Sequence, residues 1–527
     1  MIRKVLLNGK VITLDKKMPK AQAIAIDHGR IVRVGDNAQV EEAIDRDTEA
    51  IDLEGRTVIP GFIDSHAHLL DMVGMRLVNL DLTGVGSIPH LVEKVKDRVE
   101  ASPHGRWIVG SGWDESKMAE RRYITRFDID AVSPRNPVVL TRIDGHLAVV
   151  NTAALEAAAI RNDMPYLDKD NSGEITGILK DQALSYLPDA SSPDIETRRE
   201  ALRLAIREAH RLGITSVHEI AGGTNIRLYQ EVLLKGQLSL RVYLMLLIDS
   251  TCEWGGIGLG SIHDTGIYTG FGGENLKIGP VKIFADGSLG ARTASLLADY
   301  TDEMGNSGLL LRRQEELAEL VGKAYRANMQ IAIHAIGDRG IDEVIGAYAS
   351  LPAKGRNMRN RIEHAELITE EQIERARELG LILSMQPNFV GQWGYPGGMY
   401  ETRLGERYRD NNPFRQILDA GVMVAFGSDC MPLGPLYGIH CAVNHPNPEC
   451  RMTPEEALRC YTIGGAYASF EENVKGSIEV GKLADLAVLS ESPLEVSPDR
   501  IKDIRVEMTM VGGEVVMGKG CNTPSFR

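Results

Sequence analysis

The run Val58-Ile59-Pro60-Gly61-Phe62-Ile63-Asp64-Ser65-His66-Ala67-His68 decides how the chain is read. An apolar stretch closes on two histidines spaced i, i+2, and in a β-strand such residues point to the same face. Two imidazoles so placed can grip one cation at about 2.0–2.1 Å each, ordinary geometry for zinc. An HxH pair alone is a weak signal, because surface and packing histidines produce it too. Its weight comes from later apolar strands that also finish on a metal-capable side chain.

Working outward, apolar segments over residues 61–66, 214–218, 240–246, 281–284, 330–334, 361–364, 381–386 and 422–429 predict eight strands. Helical stretches alternate with them, the signature of βα units around a parallel sheet. Eight such units predict an α/β fold, a (β/α)8 TIM-like barrel. The misfit is the long stretch between the first two strands. It carries strand-like pieces at 107–110 and 138–142 and helices at 87–101 and 196–212. That content predicts a subdomain inserted over about residues 70–212, on the face where such barrels place active sites.

Residues 1–59 read as short strands and turns, with hairpin signals at Asn8-Gly9 and His28-Gly29, and residues 470–527 repeat the texture around Gly512-Gly513. Neither end has enough strands to bury a sheet face. Together they predict one small composite β-sandwich, with a barrel domain over 60–469 between its halves.

A 43% hydrophobic and 25% charged composition is that of a soluble globular protein, and a net charge of −14 speaks against a nucleic-acid or anionic-membrane partner. Six cysteines, Cys252 among them, form no CxxC, so neither a disulfide framework nor a thiolate zinc site is expected. No run of about 20 apolar residues could span a bilayer, and the Asn8-Gly9 turn interrupts the start before an export-length apolar segment forms. The expectation is a cytoplasmic enzyme acting on a small molecule, with a homodimer left open.

The strand ends supply the chemistry: His66 and His68 on the first, Lys282 on the fourth, His334 on the fifth, His364 on the sixth and Asp429 after the eighth. Four of the thirteen histidines fall at rim positions in strand order, with an aspartate closing the set. Imidazoles with a carboxylate suit a divalent ion, zinc ahead of iron or manganese. Water on such an ion loses a proton near neutral pH and can attack a carbonyl. Asp429 is the natural base to take that proton and pass it to a leaving nitrogen. The reaction class is hydrolysis of a non-peptide C–N bond in an amide.

The strand-one run, the two later histidines, Gly427-Ser428-Asp429 and the return segment Gly476-Ser477-Ile478-Glu479-Val480-Gly481-Lys482-Leu483-Ala484-Asp485-Leu486-Ala487-Val488 resemble the amidohydrolase superfamily of metal-dependent hydrolases. Lys282-Ile283-Phe284-Ala285-Asp286-Gly287-Ser288-Leu289-Gly290-Ala291-Arg292-Thr293 and the long insertion are similar to the branch typified by N-substituted formamide deformylase. The resemblance spans nearly the whole chain and implies one or two ions. A plain ammonium beside cations would be repelled; the related enzymes carboxylate this lysine with CO2, which implies the same for Lys282. It also implies that the insertion leans over the site, so that His146 could bond the carbonyl and Trp113 and Asp114 could wall the pocket. His218, ending the second strand, could face the site, and Arg292 could hold an anionic group. Each has a structural alternative, in packing or in pairing with local carboxylates.

Two other functions compete. A single-metal aminohydrolase (deaminase) usually needs a glutamate just after strand five, where this chain reads His334-Ala335-Ile336-Gly337-Asp338. A non-catalytic scaffold would have lost ligands, yet all six positions carry usable groups.

Overall fold

The computed structural model describes residues 4–42, 44–165, 167–188, 194–248, 257–519 and 521. Cys252 and the outermost ends of the expected composite domain, 1–3 and 522–527, lie outside the described residues. Eight strands form one parallel sheet in chain order: β1 Phe62–Ala67, β2 Ile214–Ala221, β3 Arg241–Leu247, β4 Leu276–Phe284, β5 Ile331–Ala335, β6 Arg361–His364, β7 Ile382–Met385 and β8 Met423–Phe426. Helices cover the outside and side chains fill the inside, which is why these strands read as near-continuous apolar runs. Among the described residues no ladder joins β8 to β1. That seam is closed by the Asp429 N–H, which donates to the His66 carbonyl at 2.8 Å. Asp64 reinforces it by accepting from the Ser428 N–H at 2.9 Å and from the Ser428 hydroxyl. The barrel is nearly closed, as eight βα units predict.

The stretch after β1 builds a second sheet, ordered Leu167–Lys169, Ile175–Lys180, Leu147–Val150, Val138–Arg142, Ile108–Trp113 and Leu80–Asp81. Its helix Ile88–Glu100 starts where Ser87 accepts from the His90 N–H, and it buries Ile88, Leu91 and Val95 on one stripe. Trp113, Leu140 and Leu147 pack with that stripe in a core of their own. The expected inserted unit ran to residue 212, but helix Ile195–Arg211 packs elsewhere. Its small apolar stripe, Ala201, Leu202, Ala205, Ile206 and Ala209, lies in the barrel's core.

The chain ends form two sheets. One, entirely N-terminal, is ordered Arg30–Gly35, Ala23–Asp27, Lys4–Leu7 and Glu49–Asp52. The other mixes both ends: Glu514–Met517, Val506–Val511, Leu486–Leu489, Thr57–Pro60, Lys10–Ile12 and Lys20–Ala21. Leu6, Val11, Ile24, Val58, Leu486 and Met510 meet in one apolar cluster drawn from both sheets. The hairpin expected at Asn8-Gly9 does not form. Lys4–Leu7 and Lys10–Ile12 belong to different sheets, and Asn8, at φ 57°, turns the chain across from one to the other. The hairpins at His28-Gly29 and Gly512-Gly513 do form. Among the described residues no helix is long and apolar enough to cross a membrane.

Candidate metal centre

All six expected ligands lie at the C-terminal rim of the barrel, and the local backbone explains how. His66 and His68 share the inward face of β1 and of the residue after it, as their spacing predicts. Beyond His68 the chain enters a π-helical turn, Leu69–Gly74, pinned by Glu219 of β2, whose carboxylate accepts from the Leu69 and Leu70 N–H groups at 2.7 and 3.1 Å. Lys282 is fully buried near the end of β4, its Nζ 4.8 Å from the centre of the Phe284 ring. His364 stands at φ 73° and Ala365 at φ 50°, left-handed values that turn His364 inward although Glu363 beside it already points in. Asp429 and Cys430 repeat the device after β8, at φ 49° and 59°. Gly427 lets β8 approach β1: a Cβ there would sit 2.5 Å from the His66 nitrogen.

The donors converge. Asp429 Oδ1 lies 3.3 Å from His68 Nε2 and 3.6 Å from His66 Nε2. The His66 and His364 rings are 4.6 Å apart and the His364 and His334 rings 4.4 Å. Ligand atoms of His66, His364 and Asp429 all fall within 4.8 Å of one another.

Their outer partners set which ring nitrogen is bare. His66 Nδ1 faces Glu363 Oε2 at 2.5 Å; a carboxylate only accepts, so Nδ1 carries the hydrogen and Nε2 is left to ligate. His364 Nδ1 donates likewise to Gln386 Oε1 at 2.7 Å, and His334 Nε2 donates to the Gly287 carbonyl at 3.0 Å, which leaves its Nδ1 bare. Buried His66 Nε2 and Asp429 Oδ1 have no hydrogen-bond partner among the described residues. Burial, reinforced by the Lys282 charge, pushes the His68 pKa down to about 3 and holds His66 well below its usual value. Burial drives His334 and His364 the same way. Neutral imidazoles around a buried carboxylate fit a divalent cation. Burial pushes the Asp429 carboxyl well up, while Lys282 and His146 pull it back toward the charged form.

A cavity opens above this set. Its wall includes His146, His334, His364 and Asp429 on the polar side, and Leu289, Ile336, Phe389, Trp393, Met399 and Met431 on the apolar side. His146, which the resemblance implies could bond a carbonyl, reaches the cavity from the insertion. Its Nδ1 donates to Asp181 at 2.7 Å, and although burial opposes its charge, Asp181 raises its pKa.

The other expected site residues fall elsewhere. His218 is buried inside the barrel below the rim, its Nδ1 accepting from Arg361 Nη1 at 2.9 Å. Trp113 is sealed in the insertion's core, its indole donating to the Leu140 carbonyl at 2.9 Å. Asp114 sits behind the wall, where it accepts from Trp393 at 2.9 Å and faces Arg142 at 3.4 Å. Arg292 is paired with Asp302 at 2.8 Å and Glu303 at 3.3 Å and is not among the residues that line the cavity. Trp393, not Trp113, lines the cavity, because the indole of Trp113 found a backbone carbonyl inside the insertion. Sequence reasoning missed Glu363, Gln386 and Asp181. Glu363 had left a trace: Arg361 and Glu363 are opposite charges at i, i+2 on a short strand, hence on one face.

Comparison with known proteins agrees with this geometry. The sequence pattern of the amidohydrolase family matches residues 49–517. The chain is 32% identical to YtcJ of Bacillus subtilis (strain 168), over 97% of this chain and 98% of that one. It is 28% identical to the N-substituted formamide deformylase of Arthrobacter pascens, over 97% of each. Among solved structures, an uncharacterized metal-dependent hydrolase from Pyrococcus furiosus superposes with a TM-score of 0.73 at 31% identity, covering 93% of this chain and all of that one (100%). With a family pattern running through both the barrel and the return to the terminal sheets, and a rim that gathers the donors a divalent ion needs, this chain belongs to the amidohydrolase family.

Proposed function

We propose that the protein hydrolyses a non-peptide C–N bond, of the amide or N-substituted formamide type, in a small molecule. One observation carries the reading: His66, His68, His334, His364 and Asp429 converge beneath a cavity, and outer partners set the bare nitrogens of His66, His334 and His364. His66, His68, His334, His364 and Asp429 would hold a divalent ion, most simply zinc, which would supply Lewis acidity toward a carbonyl oxygen and lower the pKa of water toward neutrality. Asp429, between His66 and His68, takes the proton of the attacking water and returns it to the leaving nitrogen. His146, braced by Asp181, faces the carbonyl from the insertion side. Phe389, Trp393, Met399 and Met431 keep bulk water from the reacting group and receive an apolar substituent. The amine of Lys282 points to the same rim, and its carboxylation by CO2 would add oxygen donors for a second ion. The described cysteines form no disulfides, in keeping with a reducing cytoplasm.

Metal content per chain, measured with a screen of N-substituted formamides and other amides against aminopurines and aminopyrimidines, tests the proposal. Release of amine that stops on chelation and returns with the ion is expected. A metal-loaded protein that liberates ammonia from the heterocycles and leaves amides intact overturns it. One feature favours that second reading. Glu366 lies buried in the cavity wall with Tyr400 donating to it, and burial raises its pKa to about 7, so a glutamate acid is present after β6 although no glutamate follows β5 directly.

A further inference from the structure

Inside the barrel, below the rim, lies an ion pair of which only the Glu363 end has entered the chemistry above. Arg361 and Glu363, two residues apart on β6, are both fully buried. Arg361 Nε donates to Glu363 Oε1 at 2.7 Å and Nη2 donates to Oε2 at 3.0 Å. The same Nη2 also meets the Ser65 carbonyl at 2.6 Å and the Ser384 hydroxyl at 2.9 Å, and Nη1 donates to His218 Nδ1 at 2.9 Å. Strands β1, β2 and β7 therefore all hold one guanidinium. A buried ion pair is a poor explanation of stability, since a well-packed apolar pair of similar volume often serves as well or better. What an apolar pair cannot do is present a lone pair in a fixed direction.

That direction is toward the ligand set. The guanidinium fork takes one lone pair on each Glu363 oxygen and fixes the plane of the carboxylate. Oε2 is then left facing His66 Nδ1 at 2.5 Å. Nothing else in the described hydrogen bonds of His66 side-chain nitrogens holds its ring. His218 belongs to this support as the acceptor that steadies the far side of Arg361.

We propose that Arg361 and Glu363 are positioning residues of the metal centre: anchored by Ser65, Ser384 and His218, Arg361 aims Glu363 at His66 Nδ1, which fixes the ring and its tautomer and so sets the affinity of the rim for a divalent ion. The proposal rests on the reading of the rim as a metal centre. Neither residue touches substrate, and their effect passes through His66.

The test is titration of the purified, metal-stripped full chain with Zn2+ against a competing chelator, with Co2+ absorption as a spectroscopic check on the ligand field. Glu363→Gln keeps the volume but lets an amide N–H face Nδ1 or Arg361. Glu363→Asp keeps the charge against Arg361 and withdraws the carboxylate from His66. Both variants are expected to bind Zn2+ about 10–100-fold more weakly, the usual cost of losing a ligand's outer partner, with an altered Co2+ spectrum; Glu363→Gln also lowers the melting temperature of the metal-free protein, because Arg361 loses its only carboxylate, whereas Glu363→Asp, which keeps that charge, lowers it less. If Glu363→Gln does not fold, Glu363→Asp decides. Wild-type affinity and spectrum in the folded variants, or a loss confined to the melting temperature of the metal-free protein, overturns the proposal. His66→Ala separates the two levels. If it abolishes binding while the Glu363 variants bind normally, only the positioning role fails. If it too binds normally, the metal-centre reading fails with it.

Discussion

Two arginines are withdrawn almost completely from water, and their surroundings separate the barrel from the insertion. Arg361, in the barrel, meets one carboxylate, Glu363, and otherwise neutral acceptors. Arg142, ending an insertion strand, meets three: Glu115 and Asp144 at 2.8 Å and Asp114 at 3.4 Å. Arg403 joins that cage through Glu115 and Asp302, and Arg292 joins it through Asp302. The first cluster directs a single lone pair at a ligand. The second ties distant chain segments into a wall. Residues that look like substrate contacts in the sequence, Asp114 and Arg292, are consumed by each other's neighbours in that wall. A charged side chain near an active site can thus serve by being unavailable.

The sharpest way to break this division is at the rim itself. Asp429→Asn keeps volume but removes basicity, so turnover is expected to fall about 10²–10⁴-fold, with the melting temperature little changed. Metal content must be measured on the same sample, because weaker ion binding would imitate part of the loss. A fully loaded variant with near-normal turnover would take the proton transfer away from Asp429 and direct attention to His146. On the insertion side, Arg142→Met removes the cation shared by Asp114, Glu115 and Asp144, and leaves Glu115 to Arg403. Denaturant unfolding is expected to show a loss of about 3–5 kcal/mol, while metal content stays unchanged. If ions are lost in proportion to stability, the two clusters are one system and the contrast fails.

A third cluster, at the floor of the barrel, provides a control with a pH signature. Burial opposes ionisation of Glu471, but Lys475 and Lys277, at 2.8 and 2.6 Å, outweigh it and hold its pKa down to about 2 from 4.5. A depressed folded-state pKa contributes stability in full above pH 4.5 and loses it as pH falls toward 2. Glu471→Gln should therefore be less stable than wild type by about 3 kcal/mol near neutral pH. The gap should narrow below pH 4.5 and close near pH 2 in parallel denaturation curves; a gap independent of pH would mean packing, not charge, is at stake. The smallest effect expected is at the insertion's helix. Ser87→Ala removes the cap on the His90 N–H and should cost about 1 kcal/mol, read as a small fall in melting temperature with activity unchanged.

The barrel was legible because its strands are buried on both faces, and such strands write themselves as apolar runs whose ends stand out. His66, His68, His334, His364 and Asp429 could be collected from those ends without any knowledge of contacts. The insertion was less legible. Leu147–Val150 and Ile175–Lys180 are ordinary short strands, and the turn Asp144-Gly145-His146 reads equally well as the end of a strand and as the return into another. The partners Asp181 and Gln386 could not be found, because 35 residues separate Asp181 from His146 and only the fold brings them together. Alternation also misleads at β6. Period two assigns Glu363 and His364 to opposite faces, yet both serve the interior, and no pattern of residue types announces the left-handed turn that allows it.

That turn also constrains how the site can evolve. At 364 and 429 an L side chain occupies a backbone region that costs roughly 1–2 kcal/mol, so any replacement is screened twice, once for its ligand chemistry and once for its tolerance of positive φ. Asparagine, aspartate and glycine pass the second screen most easily, whereas β-branched residues fail it. Libraries that diversify the ligands of this rim will therefore sample β1 and β5 freely, but at β6 and after β8 they will return a narrow, Asx-rich alphabet whichever ion is selected for.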